Sequence, residues 1–148
     1  MGRGDRPASA GEVLRRVDPP HEVIVADDAI EELDELIAYI GKHSPTNARA
    51  VYEAIARRLF DLGRAPEALG HIDPLAQSVP DGASARITTV KKIALYYLFP
   101  VPHQGRPMVL VLSIRRGRRL PLDEAEYAWR WLEEVARLEP PSEAPEQG

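Results

Sequence analysis

The side chains most able to do chemistry in this sequence are basic, and they are concentrated in one segment. Eight of the 19 Lys and Arg residues and none of the 23 Asp and Glu residues lie between Gly82 and Leu122. These eight are Arg86, Lys91, Lys92, Arg106, Arg115, Arg116, Arg118 and Arg119. Because the whole chain has a net charge of −4, this positive charge is segregated from an acidic remainder. The segment is either a solvated basic hairpin or a surface that binds phosphate or an acidic protein.

Two of these arginines stand next to each other at the end of the last predicted strand. Adjacent guanidinium groups, here those of Arg118 and Arg119, can hold a phosphate or a carboxylate bidentately. The alternative is an internal ion pair with the acidic first helix. We predict a target-binding surface that consists of Lys91, Lys92, Arg115, Arg116, Arg118 and Arg119.

Cleavage of RNA is the reaction for which this segment holds several of the required groups. It needs a group that activates the ribose 2′-hydroxyl, cations that stabilise the phosphorane and an acid for the leaving oxygen. The candidates are Arg86, Lys92, Tyr97 and Arg118. Tyr96 and Tyr97 are neighbours on a predicted strand, so their side chains point to opposite faces and at most one belongs to a given site. Enzymatic activity therefore stays open at this point.

The sequence lacks the usual signals for other sites and for export. It has no Cys, which excludes disulfides, thiolate metal ligands and a Cys nucleophile. Its four His residues lie in separate segments without a second ligand at metal-binding spacing, and no Gly-rich phosphate loop is present. No cofactor and no metal are therefore expected. The apolar runs are shorter than the roughly 20 residues of a membrane span, and no signal-peptide core is recognisable, so we expect a cytoplasmic protein without membrane contact.

Periodicity in the first half of the chain predicts one strand and two helices. Residues 22–26 are mostly β-branched and suit a short strand. Apolar residues then recur at three- and four-residue intervals over about 28–42 and again from Ser44 to Gly63, which predicts two amphipathic helices. Ser44 and Pro45 suit the cap and the first turn of the second helix. Because only a few residues join the helices, they should form an antiparallel hairpin.

The second half of the chain predicts three strands and a last helix. The strands are Ser84–Val90, Ile93–Phe99 and 108–115, with Lys91–Lys92 as the first turn and 100–107 as the second. Residues 108–113 are apolar on both faces, which indicates a central strand that is covered on both sides. A helix over 123–138, with Asp123 and Glu126 as a capping box, is the expected cover. Its predicted apolar face consists of Ala125, Ala128, Trp129, Leu132, Val135 and Ala136.

These elements predict an α+β fold. In it an N-terminal strand and an antiparallel helical hairpin pack on a small twisted antiparallel sheet, in the order β-α-α-β-β-β, followed by a C-terminal helix. A single domain over 21–138 suits the length of the chain. The ends, residues 1–20 and 139–148, are rich in Pro, Gly or charge and are predicted to be disordered tails.

Three segments of the chain resemble the RelE/ParE toxin superfamily. Residues 29–40 (AIEELDELIAYI), followed by Ser44-Pro45 and by 48–52 (ARAVY), resemble the ParE helical hairpin. Residues 90–97 (VKKIALYY) resemble the hairpin that leads to an aromatic strand, and 109–119 (VLVLSIRRGRR) resemble the last strand of the family. Arg116 stands where the family usually has His. The resemblance covers about residues 22–119 and is greater to the ParE branch.

The resemblance implies the toxin component of a type II toxin–antitoxin system, which halts growth and is neutralised by a cognate antitoxin in a hetero-oligomer. ParE-like members inhibit DNA gyrase, whereas RelE-like members cut mRNA on the ribosome. The RelE-like branch usually has a Tyr or His close after the final Arg pair, but here Leu120-Pro121-Leu122 follows. We therefore expect a ParE-like toxin, with a RelE-like mRNA endoribonuclease as the alternative.

A third interpretation is a non-toxic interaction module that retains the fold. The acidic overall charge, the two tails and the added helix over 123–138 are unusual for these toxins, which are typically shorter and basic. In this interpretation the added helix lies across the sheet and covers the groove that an antitoxin or a substrate would use.

Overall fold

The fold is that of a computed structural model, which describes residues 9–18, 20–74, 76, 79, 82–117, 119 and 121–138. Within these residues it is α+β, with a six-stranded mixed sheet and four helices. The helices are α1 (Ala10–Val13), α2 (Asp27–His43), α3 (Pro45–Arg64) and α4 (Glu124–Leu138). The strands are β1 (Arg16–Val17), β2 (Glu22–Val25), β3 (His71–Ile72), β4 (Ser84–Val90), β5 (Ile93–His103) and β6 (Arg106–Arg116), in the sheet order β1-β2-β6-β5-β4-β3. No described helix is long and apolar enough to cross a membrane.

The predicted helical hairpin is formed by α2 and α3. The Ser44 hydroxyl accepts a hydrogen bond from the Asn47 N–H at 3.0 Å, and Pro45 stands in the first turn, which confirms the predicted cap of α3. α2 begins after Ala26 without a side-chain cap. The apolar stripes of the two helices are buried together on one face of the sheet and include Ile30, Leu33, Leu36, Val51, Ile55, Leu59 and Leu62.

The sheet is mixed, not antiparallel as predicted. β4, β5 and β6 form an antiparallel meander, but β2 pairs parallel with β6, with Val23 opposite Val109. Parallel neighbours need a long crossover connection, and the connection from β2 to β6 begins with the helical hairpin. Because β6 pairs with both β2 and β5, it lies between them in the sheet.

The predicted order β-α-α-β-β-β is not matched, because other elements precede and interrupt it. α1 and β1 come before β2, and β3 comes before β4. Residues 10–17 thus form a helix and a strand where the sequence predicts part of a disordered tail. The other predicted tail, 139–148, lies outside the described residues.

A close approach of Gly11 to α2 explains why residues 10–17 are attached to the domain. The Gly11 N–H donates a hydrogen bond to Asp34 Oδ1 at 2.7 Å. A Cβ atom at this position would lie 2.9 Å from Ile30, so this contact requires glycine. β1 then pairs with β2, with Arg16 opposite Ile24.

The predicted second turn over 100–107 is wrong, because both strands continue through it. Only Gln104 and Gly105 remain in the turn between β5 and β6. Proline is normally excluded from a ladder because it has no N–H to donate. Here Pro102 lies opposite Pro107. Because neither residue has a backbone N–H, this pair contains no N–H group that needs an acceptor.

β6 is buried on both faces, as predicted for a central strand. Val109 and Val111 belong to the core cluster under α2 and α3. Leu110 and Leu112 belong to a second cluster that contains Tyr127 of α4. α4 is therefore the cover of the second face.

α4 has the opposite orientation to the predicted one. Its buried residues are Tyr127, Arg130 and Glu134. Trp129 and Leu132, which the sequence predicts to face the core, are 47% and 56% exposed. The physical reason is that Arg130 meets polar partners inside the protein, the Leu112 carbonyl oxygen of β6 and Glu32 of α2.

Candidate functional site

One end of the sheet carries exposed cations. Lys91 and Lys92 form the turn between β4 and β5 and have φ angles of 52° and 65°. Such φ values are unfavourable for residues with a Cβ atom. Both side chains are exposed. The Gly117 N–H donates to the Lys92 carbonyl oxygen at 2.8 Å, which attaches the segment after β6 to this turn. Arg116, opposite Ile93 in the register, lies at the same end.

A cleft of about 190 Å³ opens at this end between α2 and the last residues of β6. The Arg116 guanidinium lies 4.6 Å from the centre of the Tyr39 ring, in a cation–π contact. Tyr39 is 49% exposed, and Arg119 lines the same cleft. Arg118, which the sequence also predicts here, lies outside the described residues. We call Lys91, Lys92, Arg116 and Arg119 the basic end.

Arg115, predicted to bind a target, is buried and paired inside the protein. Its side chain is 4% exposed, and Nη2 lies 3.2 Å from Glu32 Oε2 and 3.8 Å from Glu126 Oε2. Its Nε donates to the Ser113 hydroxyl at 2.9 Å. Arg115 and Arg116 both line the cleft, together with Glu32 and Glu35, but of the two arginines only Arg116 is exposed. For Arg118 and Arg119, the sequence left open an internal ion pair with the acidic helix. Arg115 forms such a pair, with Glu32 of α2.

Of the described ribonuclease candidates, Arg86 and Tyr97 are neighbours on β4 and β5, but Lys92 lies away from them. Tyr97 is fully buried, and its hydroxyl donates to the Pro66 carbonyl oxygen at 2.6 Å. Burial raises the pKa of Tyr97 to about 12. Arg86, opposite Tyr97 in the register, donates to the Glu67 carbonyl oxygen at 3.2 Å. Lys92 lies five residues before Tyr97, on the order of 16 Å away along the strand, so Tyr97 is a core residue and does not reach a substrate held at the turn.

Tyr96 points to the opposite face, as the alternation along a strand predicts. Its ring packs against that of Tyr127 of α4 at 6.3 Å between centres. The Tyr127 hydroxyl donates to Asp73 Oδ2 at 2.5 Å, and both residues are buried. Burial, and then this hydrogen bond and the charge of Asp73, raise the pKa of Tyr127. Tyr96 and Tyr97 are therefore both packing residues.

Sequence reasoning missed a carboxylate, 13% exposed, at the centre of the polar contacts. Glu32 Oε1 accepts hydrogen bonds from the Ser113 hydroxyl at 2.8 Å and from the Ile114 N–H at 3.0 Å. Its Oε2 lies 3.2 Å from Nη2 of Arg130, which also donates from Nη1 to the Leu112 carbonyl oxygen at 2.8 Å. Glu32 stands directly beside the core stripe of α2, which was the available signal. Its partners come from β6 and α4, however, and are not visible in the local pattern.

A second cleft, of about 440 Å³, lies at the other end of β5 and β6. His103 Nδ1 lies 2.8 Å from Glu22 Oε1, in a side-chain pair that joins the β5–β6 hairpin to the start of β2. Arg16 Nη2 lies 2.8 Å from Glu22 Oε2, without the angular geometry of a hydrogen bond. His21 and Arg106 also line this cleft.

The basic end offers cations and an aromatic ring, which suit the binding of an acidic surface. None of its four cations forms an ion pair with a described residue. Tyr97, the described candidate for proton transfer, lies in the core. These cations can hold a phosphate or a carboxylate. In the comparisons with known proteins, the chain matches no family model and no curated protein.

Proposed function

We propose that this chain is a ParE-like toxin, neutralised by a cognate antitoxin, that stops growth by binding a cellular target such as DNA gyrase. The proposal joins the residues that resemble the ParE hairpin and last strand to the geometry of the basic end. Its main support is that Lys91, Lys92, Arg116 and Arg119 are exposed and unpaired among the described residues, whereas the neighbouring Arg115 is internally neutralised.

Two observations make binding a better proposal than the alternative, ribosome-dependent mRNA cleavage. The Tyr97 hydroxyl is fully buried and already donates to a backbone carbonyl, so it is not available to move a proton on a substrate. Arg86, the other described candidate on β4, has only 13% of its side chain exposed. The phenol that the sequence predicts to take part in cleavage is thus inaccessible, which fits a target that is held and not cut.

The test is induced expression in bacteria of the wild type beside two double variants. Arg116→Ala/Arg119→Ala removes half of the basic end. Arg49→Ala/Arg57→Ala removes two arginines from the outer face of α3, where their side chains are 80% and 81% exposed, and serves as the control for charge. Circular dichroism checks that all three proteins fold.

We expect growth arrest with the wild type and with Arg49→Ala/Arg57→Ala, and loss of arrest with Arg116→Ala/Arg119→Ala. The purified wild type should inhibit supercoiling by DNA gyrase. Cuts in translated mRNA without gyrase inhibition would instead support the ribonuclease alternative. No arrest by the folded wild type would support the non-toxic interaction module.

A further inference from the structure

The solvent-facing side of α4 is unusually apolar for a surface helix of a small domain. Ala125, Trp129, Leu132 and Ala136 are all exposed, and we call these four residues the outer face. They follow one another at intervals of four, three and four residues, which aligns them along one side of a helix. The buried side carries Tyr127 together with the charged residues Arg130 and Glu134.

This distribution differs from what burial alone would select. A helix normally turns its apolar stripe inward because each large apolar side chain gains about 1.5–3 kcal/mol from burial. α4 instead buries two charged residues and leaves Trp129 and Leu132 about half exposed. Exposed apolar stripes with polar borders are typical of protein interaction sites.

The border of the outer face decides which partner fits it. Glu126 and Glu133 stand seven residues apart, two turns along the same edge. Glu133 is exposed and has no ion-pair partner among the described residues. Arg137 also lies on this side, but it is paired with Asp27 of α2. Glu126 Oε2 lies 3.8 Å from Arg115 Nη2 but keeps 33% of its side chain exposed, so the edge carries the free charge of Glu133 and the partly neutralised charge of Glu126.

This acidic edge disfavours two other occupants. If a second copy packed its α4 antiparallel on this face, Glu126 of one copy would lie near Glu133 of the other, and like charges at such a border repel. An anionic lipid surface is repelled in the same way. A border of this charge attracts Lys or Arg residues.

We propose that the outer face of α4 docks an amphipathic helix of a partner protein. The apolar stripe of that helix packs on Trp129 and Leu132, and its flanking Lys or Arg residues face Glu126 and Glu133. The proposal uses no residue of the basic end, so it does not depend on the proposed toxin function. Trp129 and Leu132 expose on the order of 200 Å², well below the roughly 800 Å² per partner of a standard interface, so we expect a weak, transient complex.

The experiment titrates the isotope-labelled full chain with two designed helical peptides and follows backbone amide shifts by NMR. Both peptides carry Leu at the heptad a and d positions. One has Lys and the other Glu at the flanking positions. We expect the Lys peptide to bind about tenfold more tightly and to shift the amides around Trp129 and Leu132.

Three variants test whether the outer face is the site. Trp129→Gln/Leu132→Gln should weaken binding of the Lys peptide by about tenfold or more, and Glu133→Lys should reverse the preference between the two peptides. Val13→Gln/Phe60→Gln removes apolar residues that are 63% and 43% exposed elsewhere and should leave both affinities unchanged. All of these positions are exposed, so the fold should tolerate the changes.

Other outcomes would overturn the proposal. Equal binding of the two peptides, or binding that survives Trp129→Gln/Leu132→Gln, would show that the outer face does not select a basic helix. A dimer in sedimentation velocity that Trp129→Gln/Leu132→Gln dissociates would assign the face to a second copy. Binding to anionic vesicles that the same variant abolishes would assign it to a membrane surface.

Discussion

Arg130 of α4 donates a hydrogen bond from Nη1 to the carbonyl oxygen of Leu112 at 2.8 Å. The register of β5 and β6 shifts at this point, since Tyr96 lies opposite Ser113 and Tyr97 lies opposite Val111. Leu112 is thus the extra residue of a β-bulge, and the regular ladder is interrupted there. A buried guanidinium provides the donor that its carbonyl needs and joins α4 to the centre of the sheet.

Removal of this guanidinium should destabilise the protein strongly. Arg130→Met keeps the aliphatic volume but leaves the Leu112 carbonyl oxygen without its donor and Glu32 without one of its two arginines. We expect the free energy of unfolding, measured in urea, to fall by about 2–4 kcal/mol. Arg57→Met on α3 is the control, because the Arg57 side chain is 81% exposed and its ion pair with Asp61 should contribute at most about 1 kcal/mol. Equal losses would contradict a special role of Arg130.

Neutralisation of Glu32 should be at least as damaging. Glu32→Gln leaves the buried guanidiniums of Arg115 and Arg130 with less negative charge, and we expect a loss of about 3–5 kcal/mol in the free energy of unfolding. Glu35→Gln, on an exposed position of the same helix, should change it by less than about 0.5 kcal/mol. Because Glu32 and Arg130 share partners, the double variant Glu32→Gln/Arg130→Met should lose less than the sum of the single losses. Additive losses would show that the two residues act independently.

Tyr97 should behave as a core residue and not as a catalytic one. Tyr97→Phe removes the hydrogen bond to the Pro66 carbonyl oxygen and should cost about 1 kcal/mol at neutral pH, with no effect on growth arrest. Since burial raises the pKa of Tyr97 from 10.0 to about 12, the folded state keeps the phenol proton that the unfolded state releases. Wild-type stability should therefore fall relative to Tyr97→Phe as the pH rises from about 10 to about 12. Urea unfolding across this range measures the difference, and loss of growth arrest in the folded variant would restore a role in chemistry.

Features that depend on neighbouring residues were predicted well from the sequence. Ser84–Val90 agrees with β4 at both ends, and the predicted bounds of α2 and α3 are within one or two residues of those observed. Asp123 and Glu126 form the predicted capping box, with backbone-to-side-chain hydrogen bonds of 3.3 Å and 2.8 Å. Caps, turns and periodic stripes are set by residues a few positions apart, so the sequence displays them directly.

Features that depend on distant partners were not predicted. Arg115 was expected to bind a target, but its acceptor Glu32 lies 83 residues away in the sequence. The face of α4 was predicted from its apolar stripe alone, whereas the bulge at Leu112 and the carboxylate of Glu32 draw Arg130 inward. This contact turns Trp129 towards solvent. The periodicity of α4 does not show that the Leu112 carbonyl oxygen, at the bulge in β6, needs a hydrogen-bond donor from this helix.

Substitutions in the turn of Lys91 and Lys92 should stabilise the protein but remove two cations of the basic end. Both residues have positive φ, which suits the Asn-Gly pair of a two-residue hairpin turn and not two lysines. Lys91→Asn/Lys92→Gly should therefore raise the free energy of unfolding by about 1 kcal/mol. If the basic end binds the target, the same variant should lose growth arrest, because it removes two exposed cations.

Two further variants separate backbone strain from charge in this turn. Lys91→Gln/Lys92→Gln removes the charges but keeps residues with a Cβ atom, so it should lose growth arrest without gaining stability. Gln104→Asn, at the positive-φ position of the β5–β6 turn where Gly105 already follows, should change stability by only a few tenths of a kcal/mol and leave arrest intact. If Lys91→Asn/Lys92→Gly gained no stability in urea unfolding, the two lysines would not be strained. If both uncharged variants still arrested growth, the charges of this turn would not contact the target, and the remaining candidates would be Arg116, Arg118 and Arg119.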